Sequence, residues 1–519
     1  MLVILLLGFI IYSIGMYFVF PKAGVEAWKG LVPGINLGEM SALVGRKKSH
    51  AWWMLFPIVN IFIFAALIID LARSFGKHGY WDSVLAVVFA PFYSLYLGLD
   101  KKLKYQGPVL VQEQEFMNKL HEAKAKNDAK TISKMQASNP YKKSAVREWA
   151  ESIVFAVFAA AFIRMFLIEA YMIPTSSMEG SLKVGDFLFV SKAHYGIRLP
   201  MTFVMIPLLH NQIPYLGVES YLRKPSFKYK RLPKLQPVKR NEPFVFNWPV
   251  GDSVYLAPDR AFTADQYRRE PYVKQAVQNG KLITRPVDKK DHYIKRCVAV
   301  PGDSLKIINR QLYINNQPGY NPQHMQFMYR IISPQNQLNQ RKLDELGLNL
   351  TEAMPQMGIY FLDSLQKAKI QGMDSSIIIQ VVPQEVRPMF PYDTPISKGW
   401  TVDNYGPIYI PKEGASTPLN LENLPLYNRV ISVYENNKLE VKDGKIYING
   451  VESDSYTFKQ DYYWAMGDNR HNSEDSRAWG YVPADHIVGK PLFIWFSTKN
   501  GKIANGINWN RLFTSANKK

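Results

Sequence analysis

Two serines, Ser176 and Ser177, stand in the run Pro174-Thr175-Ser176-Ser177-Met178, about five positions beyond a strongly apolar stretch. A lysine follows far downstream in Tyr293-Ile294-Lys295-Arg296, and a polar cluster, Gly467-Asp468-Asn469-Arg470, further still. Hydrolysis of a peptide bond needs a nucleophile, a base and donors for the oxyanion. The chain carries no GxSxG turn, HExxH helix or CxxC pair, and its histidines have no metal-ligand spacing, so no metal or cofactor is expected. His471 reads as a solvated loop histidine. That leaves a Ser-His-Asp triad unsupported and Ser-Lys as the recognised variant. A serine this close to an apolar run would lie near a membrane surface, where it would meet substrates held in the bilayer.

The elements that must position these residues are spread over 519 residues, a length that suggests two or three structural units. The net charge of +20 invites a nucleic-acid reading. The basic residues are spread along the chain, and membrane segments account for them better, so no nucleic-acid partner is expected. Cys297 is the sole cysteine, which rules out an intramolecular disulfide.

Four runs approach the roughly 20 residues needed to cross a hydrocarbon core: Leu2–Phe20, Trp52–Ile69, Val84–Leu97 and Trp149–Ile168. The first has no basic residue before it and no small-residue cleavage pattern after it, so it resembles an anchor more than a cleaved signal peptide. The third is short and contains Pro91. Arg164, near the end of the fourth, can snorkel to the headgroups. Lysine and arginine crowd into 21–50 and 100–148, whereas Arg73 and Lys77 alone lie between the second and third runs. The positive-inside rule then puts both basic segments in the cytoplasm and everything beyond 170 outside. The expected organisation is a membrane module of about three transmembrane helices over 1–99 and a basic cytoplasmic linker over 100–148, either a solvated helix or partly disordered. A transmembrane anchor over 149–170 and an extracytoplasmic β-rich domain over 171–519 follow.

In that last part, Phe187–Val190, Pro243–Phe246, Tyr293–Val300 and Leu492–Phe496 read as strands, being short apolar or alternating runs bounded by turn residues. Ser304–Ile307 with Leu312–Asn315, and Leu439–Lys442 with Ile446–Gly450, read as hairpins turning at Asn309-Arg310 and Asp443-Gly444. Between them, 318–438 is rich in Gln, Asn, Pro and Met, has a helical patch near 340–370, and reads as an insertion. Within residues 197–240, the run from Pro200 to Leu216 is strongly apolar yet broken by three prolines, too irregular for a span. The segment fits either a loop folded against the β core or a surface dipping into the outer leaflet.

The three segments together resemble bacterial type I signal peptidases, or leader peptidases, a family of Ser/Lys peptidases. Ile173–Met178 continuing into Leu182–Asp186 is similar to that family's serine box. Tyr293–Val298 followed by Pro301-Gly302-Asp303 is similar to its lysine box, and Met466–Gly480 to its third signature. Arg240–Phe246 fits the intervening strand more loosely. The first hundred residues resemble a small three-span module attached to some members.

The resemblance implies a mainly β, signal-peptidase-like catalytic domain with an insertion, behind transmembrane helices in the cytoplasmic (inner) membrane. It implies a serine endopeptidase that cleaves signal peptides from translocated preproteins through an acyl-enzyme, with the phospholipid membrane and the secretion translocon as further partners. Ser177 would be the nucleophile, Lys295 the general base and Ser176 a spacer. The Ser177 N–H and the Thr175 hydroxyl, where many relatives have serine, would hold the oxyanion. Ser473 would orient the lysine, while Asp468 and the Asp475–Arg477 pair would support the site. Ile173, Pro174, Tyr293 and Ile294 would wall a shallow pocket for the small residues at the cleavage site. Two other readings remain at this stage: a peptidase of the same fold with a narrower substrate, and a catalytically dead envelope scaffold.

Overall fold

The computed structural model describes residues 2–517 except 56–58, 142–144, 203, 207, 214–218, 225, 258–260, 278–281, 334–342, 344–345, 349, 351, 375 and 387. The chain forms two compact units, Met1–Ser152 and Ile153–Lys519.

The first unit is helical. It contains α1 (Leu2–Lys22), α2 (Ile35–Leu43), α3 (Val59–Ser74), α4 (Tyr80–Val88), α5 (Ala90–Leu99), α6 (Val109–Ala125) and α7 (Ala129–Ala137). Met16, Val19, Phe20, Met40, Leu67, Leu71 and Leu97 lie in its core. Glycines let α1 and α5 pack backbone to backbone: a Cβ on Gly15 would meet Leu95 N at 2.7 Å, and one on Gly98 would meet Phe18 Cβ at 2.6 Å.

Among the described residues no single helix is long and apolar enough to cross a membrane, although α4 and α5 pass that test as a pair bent by 116°. The third apolar run is therefore not one straight span. Pro91 opens α5, where its missing N–H costs least. The second run divides into a 3₁₀ stretch, Lys48–Leu55, and α3, and the residues between them lie outside the described ones. The expected linker also begins inside this unit: Leu103 and Tyr105 pack on the core, and Gln106 N donates to Ser74 O at 2.8 Å.

Helix α8 (Ala145–Phe166) runs into β1 (Ile168–Met172), which opens the β-rich unit. Next come β2 (Asp186–Ser191), β3 (Pro243–Asn247), β4 (Ser253–Leu256), β5 (Ala261–Thr263), β6 (Leu282–Thr284) and β7 (His292–Ala299). The main sheet is antiparallel and eight-stranded, in the order β1, β2, Ile487–Ser497, β3, β7, Tyr462–Met466, Val482–Pro483, with Thr514–Ser515 paired to Ile487–Ser497. All five residues of β3 are buried, as expected of a Phe- and Val-rich central strand covered on both faces.

Both expected hairpins form, Ser304–Ile308 with Gln311–Ile314 and Leu439–Lys442 with Lys445–Ile448. Asp443 and Gly444 both have positive φ, as a tight hairpin turn requires.

The insertion is less separate than its composition suggests. Phe327–Ile332, Ile359–Leu362 and Ile378–Val381 make a small sheet of their own, whereas Tyr405–Tyr409 pairs with Ser304–Ile308. Tyr405, Ile408, Tyr427 and Ile431 join the apolar core around Trp464 and Tyr481. Within 340–370 the described helix starts only at Ser364 and runs to Met373, and 359–362 is strand; much of 340–351 lies outside the described residues. Residues 197–240 fold back on themselves through isolated bridges such as Arg198 with Arg231 and Met205 with Tyr221. Arg231 ties this segment to the Ala484 and Gly196 carbonyls, while Val204, Ile206, Leu208 and Leu222 stay exposed.

Candidate active site

β7 carries the lysine into the middle of the sheet. Its pairing with β3 sets Phe244 opposite Lys295 and Phe246 opposite Tyr293. Strand alternation puts Tyr293, Lys295 and Cys297 on one face and Ile294 and Arg296 on the other. On the first face Tyr293 stacks on Trp248, and the lysine Nζ lies 5.5 Å from the Tyr293 ring centre. Cys297 is a fully buried core side chain. Lys295 is only 4% exposed, and its Nζ lies 2.6 Å from Ser177 Oγ. Burial pulls its ammonium down to about 8, against the opposing pull of the Asp475, Glu474 and Asp468 carboxylates. About one molecule in ten then holds a free amine at pH 7, against fewer than about one in a thousand for an ordinary lysine.

The serine segment is pinned on both sides. Thr175 is extended and exposed, and Ser176–Met178 turn in a single 3₁₀ step. Ile173 before it and Met178 within it are buried in one apolar cluster, leaving Ser177 half-buried. Asn469 N donates to Ser177 O at 3.1 Å, and Asn472 Nδ2 donates to Ser176 Oγ at 3.1 Å. Ser176 also donates to Glu352 Oε1 at 3.2 Å. Ser176 is thus a tether, more than a spacer.

Beneath the pair lie two buried ion pairs. Arg296 grips Asp468 with Nε to Oδ1 at 2.8 Å and Nη2 to Oδ2 at 2.7 Å, and Ser181 Oγ donates to the same carboxylate. Arg477 holds Asp475 at 2.8 Å, and Asp475 accepts from Gly467 N at 3.1 Å. Burial pushes both carboxyls up, but their arginine partners outweigh it and hold them below the usual range. Removing one member of such a pair typically costs about 3–5 kcal/mol, because the other charge is stranded.

The structure therefore brings Ser177, Lys295, Thr175, Asp468, Asp475 and Arg477 into one region, with three departures from expectation. Ser473 lies beside Gly467 and Ser177, yet among the described residues its buried Oγ has no hydrogen-bond partner and makes no bond to Lys295. The expected pocket wall is divided: Ile173 and Ile294 share one apolar cluster, Tyr293 belongs to another, and Pro174 is exposed. His471 is not solvated. It is buried, lies 2.7 Å from Asp403 Oδ1 and accepts from Met328 N, because the strand Phe327–Ile332 covers its loop. Sequence reasoning also passed over Arg296, Asn469 and Asn472. The opposite charges of Arg296 and Asp468, in two separate motifs, were the available signal for the first.

The family model for signal peptidase, peptidase S26, matches residues 146–362 and 452–496, about half of the chain. The chain belongs to this family. It is a serine-type peptidase, and Ser177, Lys295 and the loop after Met466 all fall within the matched residues. A second match, to a family of unknown function (DUF5684), covers residues 28–108. Among curated proteins, this S26 peptidase is 25% identical to the signal peptidase I of Haemophilus influenzae, over 74% of this chain and 80% of that one. It is 22% identical to the signal peptidase I of Buchnera aphidicola subsp. Baizongia pistaciae, over 74% of this chain and 89% of that one. The Helicobacter pylori (strain J99) signal peptidase I is 21% identical, over 71% and 93%. The S26 match breaks between 362 and 452, so it overlaps the expected insertion without sharing its bounds.

Proposed function

We propose that this S26 peptidase removes N-terminal signal peptides from translocated preproteins, with Ser177 as nucleophile and Lys295 as general base. The observation that carries this reading is the 2.6 Å approach of Ser177 Oγ to a buried lysine amine that titrates near pH 8. The neutral amine takes the Ser177 hydroxyl proton as Oγ attacks the scissile carbonyl carbon. The Ser177 N–H and the Thr175 hydroxyl hold the oxyanion, and one such donor is typically worth about 2.7–4 kcal/mol. The Lys295 ammonium returns its proton to the leaving amine, the C–N bond breaks, and an acyl-enzyme remains on Ser177. A water deprotonated by Lys295 then releases the acyl group.

The substrate binds as an extended strand beside the serine segment, with small residues at the cleavage site. Ile173 and Ile294, which share one apolar cluster, are the better supported pocket residues, and Ser473 orients the lysine once substrate has closed the site. The protein is held in the cytoplasmic membrane with its β-rich unit outside. Supporting this, α8 exposes Ile153, Phe155, Phe158 and Ile163 immediately before β1. Phospholipid and the translocon are the neighbours this location implies.

The test is processing of a generic preprotein with an A-x-A-like site by the full-length protein in detergent. Wild type cleaves at that site, Ser177→Ala and Lys295→Ala leave the preprotein intact, and rapid quenching traps an adduct on Ser177. Unchanged processing by both variants would sink the dyad.

A further inference from the structure

A second polar cluster lies at the end of the main sheet that α8 enters, and the peptidase chemistry makes no use of it. A cavity of about 100 Å³ opens there, several times the roughly 10–15 Å³ one water needs. Ala161, Arg164 and Met165 line it from α8, and Glu169 from β1. Lys192, Arg198, Lys289 and His292 close other sides, with Met205 and Leu208 from the irregular segment.

Its lining is unbalanced in charge. Four cations, Arg164, Lys192, Arg198 and Lys289, face two carboxylates, Glu169 and Asp288. Glu169 takes two of the cations, accepting from Arg164 Nε at 2.7 Å and pairing with Lys192 Nζ at 2.8 Å. Asp288 spends one oxygen on the backbone N–H groups of Met201 and Thr202 and on the Thr202 hydroxyl. Its other oxygen is buried without a hydrogen-bond partner and attracts Arg198 and Lys289 through space, so these two cations share one carboxylate that contacts neither. Among the described residues Arg198 donates only to the Asp485 carbonyl, at 3.1 Å. Lys289 is 4% exposed, and its ammonium donates to the thioether of Met205, at 2.9 Å, and lies 5.3 Å from the centre of the Tyr221 ring. Neither forms an ion pair among the described residues. A thioether is a weak acceptor and the Asp288 and Glu169 carboxylates act on Lys289 only through space, so the buried ammonium lacks a counter-charge in contact with it.

We propose that this cavity is an anion site that takes a phosphate group, completed by Lys289 and Arg198. A guanidinium offers a phosphate paired donors, and an ammonium adds a point charge. The surroundings favour the phosphate of an acidic phospholipid headgroup over free phosphate. The cavity lies against the end of an apolar helix, and the segment forming one wall exposes Val204, Ile206 and Leu208. A lipid would set its phosphate between the cations and its glycerol and acyl part along those side chains. The preference for lipid rests on the membrane reading above, but the anion site does not.

The experiment uses the full-length protein in a nonionic detergent and measures binding of dihexanoyl-phosphatidylglycerol, dihexanoyl-phosphatidylcholine and inorganic phosphate by thermophoresis. Phosphatidylglycerol is expected to bind saturably and at least tenfold more tightly than phosphatidylcholine. Lys289→Met and Arg198→Gln each weaken it at least tenfold, while Arg198→Lys and Lys289→Arg, which keep the charge, retain most of it. That contrast separates loss of charge from loss of fold. Inorganic phosphate binding as tightly as phosphatidylglycerol, with the same sensitivity to the variants, keeps the anion site and rejects lipid as its source. Absence of binding by all three probes, or binding unaltered in both charge-removing variants, overturns the proposal. The preprotein assay is independent of either result.

Discussion

Replacing Lys295 by methionine tests whether the site stores the cost of a buried charge. The variant keeps the length of the side chain, leaves an apolar tip beside Tyr293 and Phe244, and removes the ammonium. The folded-state pKa, about 8, lies below the ordinary value of 10.5. Between these two pH values the unfolded chain carries a proton that the folded chain has shed, so stability rises with pH across the window. Below about pH 8 both states are protonated and the whole cost is present, a displacement worth on the order of 3 kcal/mol. Lys295→Met is therefore expected to be more stable than wild type at pH 7, while processing no preprotein. One kcal/mol moves the midpoint by about 2–4 °C in a domain of 150–250 residues, and by less in a unit this long, so a gain of roughly 3–6 °C is expected. Thermal unfolding followed by tryptophan fluorescence at pH 6, 7, 8, 9 and 10 reads it directly. The gap closes as pH approaches 10.5. A variant less stable than wild type at pH 7, or a gap unchanged from pH 7 to 10, refutes the reasoning.

The same titration governs rate: kcat/KM rises with pH through an apparent pKa of about 8 and then levels, and a flat profile from pH 6 to 9 contradicts Lys295 as base. Gly467→Ala would put a Cβ 2.2 Å from Ser473 Oγ and 2.4 Å from Ser177 O, so the nucleophile shifts and kcat falls on the order of 10²-fold; steady-state kinetics showing a KM effect alone would reject this. Thr175→Ala loses about 10²–10³ in kcat if its hydroxyl holds the oxyanion, while Thr175→Ser stays within a few-fold of wild type. Asp468→Ala strands Arg296 and costs about 3–5 kcal/mol of stability, and a midpoint close to wild type would show that water or another group replaces the carboxylate.

The sheet was legible where local pattern and tertiary burial agree. Phe187–Val190, Pro243–Phe246 and Leu492–Phe496 all fall inside observed strands, and Asp443-Gly444 turns its hairpin as the dipeptide dictates. Legibility failed where composition stood in for packing. The segment after residue 99 is lysine-rich, but Leu103, Tyr105 and Val109 are enough to fold its start onto the helical core. Polar composition likewise hid Tyr405–Tyr409, whose partner Ser304–Ile308 lies about 100 residues earlier in the chain. His471 was misread for a related reason: its burial is imposed by Phe327–Ile332, which nothing in the local sequence announces.

The buried charges of β7 argue most directly for the site. Lys295 and Arg296 are neighbours in a central strand, a poor place for either, and the strand sends them to opposite faces. Arg296 is compensated by the two hydrogen bonds it donates to Asp468, so it locks the loop after Met466 against the lysine strand. That loop in turn holds the serine segment through Asn469 and Asn472. Among the described residues Lys295 forms no ion pair: the Asp475, Glu474 and Asp468 carboxylates act on it only through space, and its ammonium faces a hydroxyl. Had stability alone shaped the strand, an apolar residue at 295 would serve better. An ion-paired arginine beside an unpaired lysine is the arrangement expected when one charge fixes the geometry and the other must be free to lose its proton.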